Sequence, residues 1–140
     1  MHVKICGLRT PEAVAATASS GASHIGFNFF PPSPRSVTPK VARELAARVP
    51  EGVKVVALVV DADDALFDAI WTNVQPDIFQ LHGKESPDRV REIRDRFGAK
   101  VMKVIRVADS DDARSAEAYD GVADLILFDA KPPKGQDTLP

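Results

Sequence analysis

Only one cysteine, Cys6, occurs among the 140 residues, so no internal disulfide can form and stability must come from packing. A reducing compartment suits such a chain, and a cytoplasmic location is expected. An excess of one charge sign is also missing. The formal net charge is −2, which removes the broad basic field that nucleic acid or an anionic membrane calls for. A small phosphorylated ligand needs only a local anion site and stays open. No stretch approaches the roughly 18 apolar residues of a membrane span, and residues 1–6 lack the apolar region of a signal peptide. Neither nucleic acid nor a membrane is therefore expected as a partner.

Familiar catalytic signatures are scarce as well. There is no C-x-x-C or H-E-x-x-H metal motif, and the three histidines, His2, His24 and His82, are scattered. A G-x-S-x-G elbow, a Walker loop and a G-x-G-x-x-G fingerprint are all missing. Chemistry on this chain is expected to need neither a metal nor a nucleotide cofactor.

What is present is a regular alternation. Apolar runs at 3–6, 25–30, 53–60, 78–81, 101–107 and 125–128 read as strands. Helical spacing follows each of the first five. Thr10-Pro11, Thr38-Pro39 and Ser86-Pro87 each pair a capping hydroxyl with proline at the first helical position. Helices are expected from Pro11 up to a Gly21 cap, over 41–49, over 61–73, from Pro87 to Phe97 with Gly98 as cap, and from Asp109 through Tyr119. Residues 131–137 read as a polar loop. Five βα units and a sixth strand imply parallel strands joined by crossover helices in one α/β domain, 1–140. An open doubly wound sheet and part of a (β/α)8 barrel both suit that order.

Strand alternation places Lys4 and Cys6 on one face of the first strand. It does the same for Gln80 with His82 in the fourth, and for Leu127 with Asp129 in the sixth. Cys6, His82 and Asp129 then stand at the C-terminal ends of their strands, where parallel α/β folds keep their sites. Each has a plainer reading: a packed thiol, a strand-exit imidazole, a turn-initiating carboxylate. Arg35, after a run of prolines, reads as a solvated loop residue. Gln80 is harder to dismiss, because a buried amide needs partners.

Four segments carry a resemblance. They are Val3-Lys4-Ile5-Cys6-Gly7-Leu8-Arg9-Thr10, Gly26-Phe27-Asn28-Phe29-Phe30-Pro31-Pro32-Ser33-Pro34-Arg35, Gln80-Leu81-His82-Gly83-Lys84-Glu85-Ser86-Pro87 and Leu127-Phe128-Asp129-Ala130-Lys131. In this order and spacing the chain resembles the N-(5'-phosphoribosyl)anthranilate isomerases of tryptophan biosynthesis. The resemblance implies a (β/α)8 TIM barrel and an Amadori rearrangement of an aminoaldose, phosphoribosylanthranilate, to a 1-amino-1-deoxyketose, without a cofactor. It implies Cys6 as the general base at the sugar C2 and Asp129 as the general acid at the ring oxygen. Arg35 corresponds to the residue holding the anthranilate carboxylate, while Gln80, His82 and Gly7 match substrate-binding positions. Lys4, beside Cys6, is a candidate source of positive charge favouring the thiolate.

Members of the family continue past the sixth strand with a Gly-rich, phosphate-binding loop and two further βα units. The 140 residues are therefore expected to be an incomplete barrel of about five βα units plus a sixth strand, lacking the C-terminal strands and inactive alone. Its partners would be the substrate and either a second copy of itself or a complementary C-terminal fragment. Another phosphosugar isomerase or epimerase, and a non-catalytic, self-associating partial barrel, are the competing readings.

Overall fold

The computed structural model describes residues 1–132 and 139–140. The elements alternate as β1 (Lys4–Cys6), α1 (Pro11–Ser19), β2 (His24–Asn28), α2 (Pro39–Ala46), β3 (Lys54–Val59), α3 (Asp64–Val74), β4 (Ile78–Leu81), α4 (Pro87–Phe97), β5 (Lys100–Val107), α5 (Ser110–Arg114) and β6 (Leu125–Ala130). The helices start where their caps dictate. Thr10, Thr38 and Ser86 accept hydrogen bonds from the backbone N–H groups of Ala13, Val41 and Arg89, and proline occupies the first turn in each case. Each cap satisfies an otherwise orphaned donor, a contribution of about 1 kcal/mol.

Several boundaries differ from the sequence expectation, each for a local reason. The third helix begins at Asp64 rather than at 61, because Asp61 takes a left-handed conformation (φ 46°) and Asp63 is the cap. The second strand ends at Asn28, whose side-chain Oδ1 accepts from the Phe30 N–H at 2.8 Å and turns the chain out of the sheet. The fifth helix tightens to 3-10 geometry over Ser115–Tyr119. β6 runs on to Ala130, so Asp129 lies within the strand and not just beyond it. Beyond Pro132, the polar loop expected over 131–137 lies outside the described residues.

Strand order decides between the two architectures that element order alone left open, in favour of the barrel that the resemblance implies. All neighbours are parallel and the order is β1-β2-β3-β4-β5-β6. A doubly wound sheet reverses direction at a switch point. Here the sheet only advances, and right-handed crossovers then put every helix on the same side. That is the winding of a barrel wall.

The two faces of the wall differ sharply. On the helix side, Ile25, Phe27, Ala57, Val59, Phe79, Leu81 and Val101 pack against Val14, Leu45, Phe67, Ile70, Val90 and Ile93 in one continuous core. Phe67 and Phe79 meet edge to face, with ring centroids 5.2 Å apart. The other face has only a small apolar cluster of Val56, Ile78 and Met102, with Leu127 against it. Above that cluster, toward the strand C-termini, polar and reactive residues join Leu58 and Val104 on this face.

Candidate active site

Cys6, Arg35, Gln80, His82, Arg106 and Asp129 line a cleft of about 310 Å³ at the C-terminal strand ends, with Lys4 deeper inside. Alternation along the strands brings all of them but Arg35, which comes from the loop after β2, to this one side. Five of the six residues proposed for catalysis or binding thus converge. The sixth, Gly7, does not line the cleft but lies against the stem of Arg35.

Cys6 ends β1 directly opposite Gly26 of β2. A Cβ built on Gly26 would stand 2.7 Å from the Cys6 Sγ, so only glycine leaves room for the thiol. Gly7 follows with φ +83° and donates its N–H to Gly26 O at 2.9 Å. A Cβ at Gly7 would meet the Arg35 Cδ at 2.8 Å, which means that the arginine stem lies across the bare Gly7 backbone. Arg35 itself is exposed, and its loop is tied down where the Ser33 Oγ accepts from its N–H at 3.2 Å.

Opposite the thiol, His82 Nε2 lies 3.2 Å from Asp129 Oδ2 and His82 Nδ1 lies 3.5 Å from Gln80 Nε2. These contacts form one chain if the amide donates to Nδ1 and the Nε2–H donates to the carboxylate. Burial pushes the His82 pKa down, Arg106 adds to that effect, and Asp129 opposes it. That direction favours a neutral ring, the form that such a chain requires. The Gln80 side chain is buried, yet its Oε1 has no hydrogen-bond partner among the described residues. A buried acceptor left alone costs on the order of 1–3 kcal/mol, so it calls for a donor from a ligand or water.

Sequence reasoning missed Arg106. It pairs in register with Asp129 and points to the cleft from the end of β5. The signal was available: Arg106 shares its alternating face with Met102 and Val104, and it occupies a strand end equivalent to that of Asp129.

A larger cavity, about 800 Å³, opens at the N-terminal strand ends among Lys4, His24, Lys54, Ile78, Lys100 and Leu125. Size favours that cavity, whereas chemistry favours the smaller cleft. In parallel α/β folds the N-terminal end serves stability, and the convergent reactive groups are at the other end. Among the described residues, no cluster of three or more His, Cys, Asp or Glu could hold a metal ion. No described helix is long and apolar enough to cross a membrane.

Sequential parallel strands with reactive groups gathered at their C-terminal ends define a barrel-type α/β protein with its site on the loop face. Within that class the chain belongs to the N-(5'-phosphoribosyl)anthranilate isomerase family, whose model matches residues 3–137. The N-(5'-phosphoribosyl)anthranilate isomerase of Brucella canis is 50% identical over 137 residues, which are 98% of this chain and 62% of that protein. The chain thus spans about three-fifths of the length of the curated relatives it matches. Phosphoribosyl anthranilate isomerase from Thermotoga maritima superposes with a TM-score of 0.87 at 32% identity, covering 96% of this chain and 63% of the other. An isomerase crystallised with reduced 1-(o-carboxyphenylamino)-1-deoxyribulose 5-phosphate gives 0.85 at 31% identity, covering 94% and 66%.

Proposed function

We propose that the protein carrying this chain is a phosphoribosylanthranilate isomerase of tryptophan biosynthesis, acting in the cytoplasm as a (β/α)8 barrel. The observation that carries this reading is the convergence of Cys6 and Asp129, from the first and sixth strands, on one cleft. The compound bound in the related structure is a reduced form of such an enzyme's product type, with a carboxylate at one end and a phosphate at the other.

The residues suit the rearrangement. Asp129, protonated, gives its proton to the furanose ring oxygen as the C1–O bond breaks, and the amine lone pair forms the C1=N Schiff base. His82 Nε2–H then stabilises the carboxylate left behind. The Cys6 thiolate removes the C2 proton, and that electron pair forms C1=C2 while the cationic nitrogen is neutralised. The enol so formed tautomerises to the ketose. Arg35 holds the anthranilate carboxylate, Gly7 lets the arginine lie low, and the free Gln80 Oε1 accepts from a substrate hydroxyl or amine.

The test is the loss of phosphoribosylanthranilate fluorescence with purified protein. Cys6→Ala and Asp129→Asn are each expected to lower turnover by about 10²- to 10⁴-fold, the usual weight of a general base or acid. Turnover near that of the parent in either variant would remove that residue from the mechanism.

A further inference from the structure

The connection between β4 and α4 is held by an ion pair that the proposed mechanism does not use. Lys103, in the middle of β5, points to the helix side, where its strand neighbours on that face, Val101 and Ile105, are apolar and buried. Its side chain and that of Glu85 are each only 3% exposed, and Lys103 Nζ lies 2.9 Å from Glu85 Oε2. A buried ion pair rarely stabilises a fold more than a well-packed apolar pair of the same size. Stability alone is therefore a weak reason for it.

Its hydrogen bonds suggest another reason. The ammonium donates to Gly83 O at 2.7 Å and, more weakly, to Leu81 O at 3.4 Å. Those two carbonyls flank His82. The Glu85 carboxylate in turn accepts the Gly83 N–H at 3.0 Å and the Asp61 N–H at 2.9 Å. Asp61 Oδ1 accepts the Lys84 N–H at 2.7 Å, and a Cβ on Gly83 would come within 2.5 Å of that same carboxylate. Tyr119 closes the back: its OH donates to Glu85 O at 2.8 Å and its ring lies 5.7 Å from the ammonium. Gly83 is thus gripped at its N–H, at its C=O and by contact.

We propose that the buried Lys103–Glu85 pair is a positioning device for His82, fixing the backbone on both sides of the imidazole so that Nε2 stays on Asp129. Apolar residues would fill the same volume but could not bond the Leu81 and Gly83 carbonyls. The inference rests on the isomerase reading for its effect on turnover, though not for its effect on geometry. Lys103 touches no reacting atom and acts only through His82.

The experiment combines Lys103→Met with His82→Asn in the intact protein. Turnover is followed with phosphoribosylanthranilate, and long-range ¹H–¹⁵N spectra report the imidazole tautomer. Lys103→Met is expected to lower kcat about 10- to 100-fold, the scale of a displaced catalytic group. KM should change little. In the His82→Asn background the same substitution should cost nothing further, because the two changes remove one function. The spectra of Lys103→Met should show the Nε2–H tautomer giving way to a mixture. Equal losses in both backgrounds, or an unchanged tautomer, would overturn the proposal and leave a purely structural pair. If Lys103→Met does not fold, Tyr119→Phe removes only the outer hydrogen bond and should give a smaller loss with the same dependence on His82. An inactive parent protein with a tautomer that still responds to Lys103→Met would overturn the isomerase reading and keep the positioning role.

Discussion

The two faces of one sheet do different work here. The helix-covered face is a continuous apolar core that includes Phe27, Phe67 and Phe79. The open face has few apolar contacts and holds Cys6, Gln80, His82, Arg106 and Asp129. Because alternate residues of the same strand serve opposite faces, neighbours such as Phe79 and Gln80 answer to different demands. Stability is concentrated on one side, which leaves the other free to hold an unsatisfied buried acceptor and a thiol against bare glycine.

That division can be broken experimentally, and the largest effects should fall cleanly to one side. Asp129→Asn and Cys6→Ala should nearly abolish turnover while moving the unfolding free energy by less than ~1 kcal/mol, as for most substitutions outside a packed core. A large drop in stability from either would show that the open face also supports the fold. Phe79→Ala should do the reverse. It empties the aromatic cluster and is expected to cost about 3–5 kcal/mol in denaturant unfolding, with the activity of the folded fraction retained. Gly26→Ala tests the seam between the two faces. The added methyl must displace the Cys6 Sγ or the strand, costing about 1–3 kcal/mol of overpacking, and a fall in kcat should accompany it. Unchanged kinetics there would mean that the thiol position is not critical.

The smallest effect concerns pH. Burial and Arg106 hold the His82 pKa below its ordinary value. The unfolded chain therefore takes up the proton first as pH falls, and the folded state loses stability below about 6.5. Above that value the ring is neutral in both states and contributes no slope. Melting curves at pH 7.5 and 5.5 should show a drop that shrinks in His82→Asn. An identical drop in both proteins would assign it elsewhere, for instance to His24, whose pKa is also lowered by burial and by His2 and Lys4.

Much of this was legible in the sequence because it rests on short-range rules. Thr10, Thr38 and Ser86 cap helices through bonds to residues three positions on, and Gly98 ends α4 in the left-handed conformation. Period-two alternation was enough to place Cys6, Gln80, His82 and Asp129 together. The choice between barrel wall and doubly wound sheet was legible only through the four family-like segments, since strand order is a long-range property that local spacing does not encode. The Lys103–Glu85 pair, which joins β5 to the connection between β4 and α4, was not legible. One clue was there: a lysine inside the run Val101-Met102-Lys103-Val104-Ile105 is costly to bury unless something meets its charge.

The unbroken strand order has a consequence for how the molecule comes into being. Each strand pairs with the one made just before it, from Lys4 beside His24 to Met102 beside Leu125. Among the six described strands, none pairs with a strand further along the chain than its immediate successor. Each pairing closes a loop of only about 20 to 30 residues, so the closure entropy is similar and modest at every step. The wall can therefore grow unit by unit behind the ribosome, each new helix sealing the strand that precedes it.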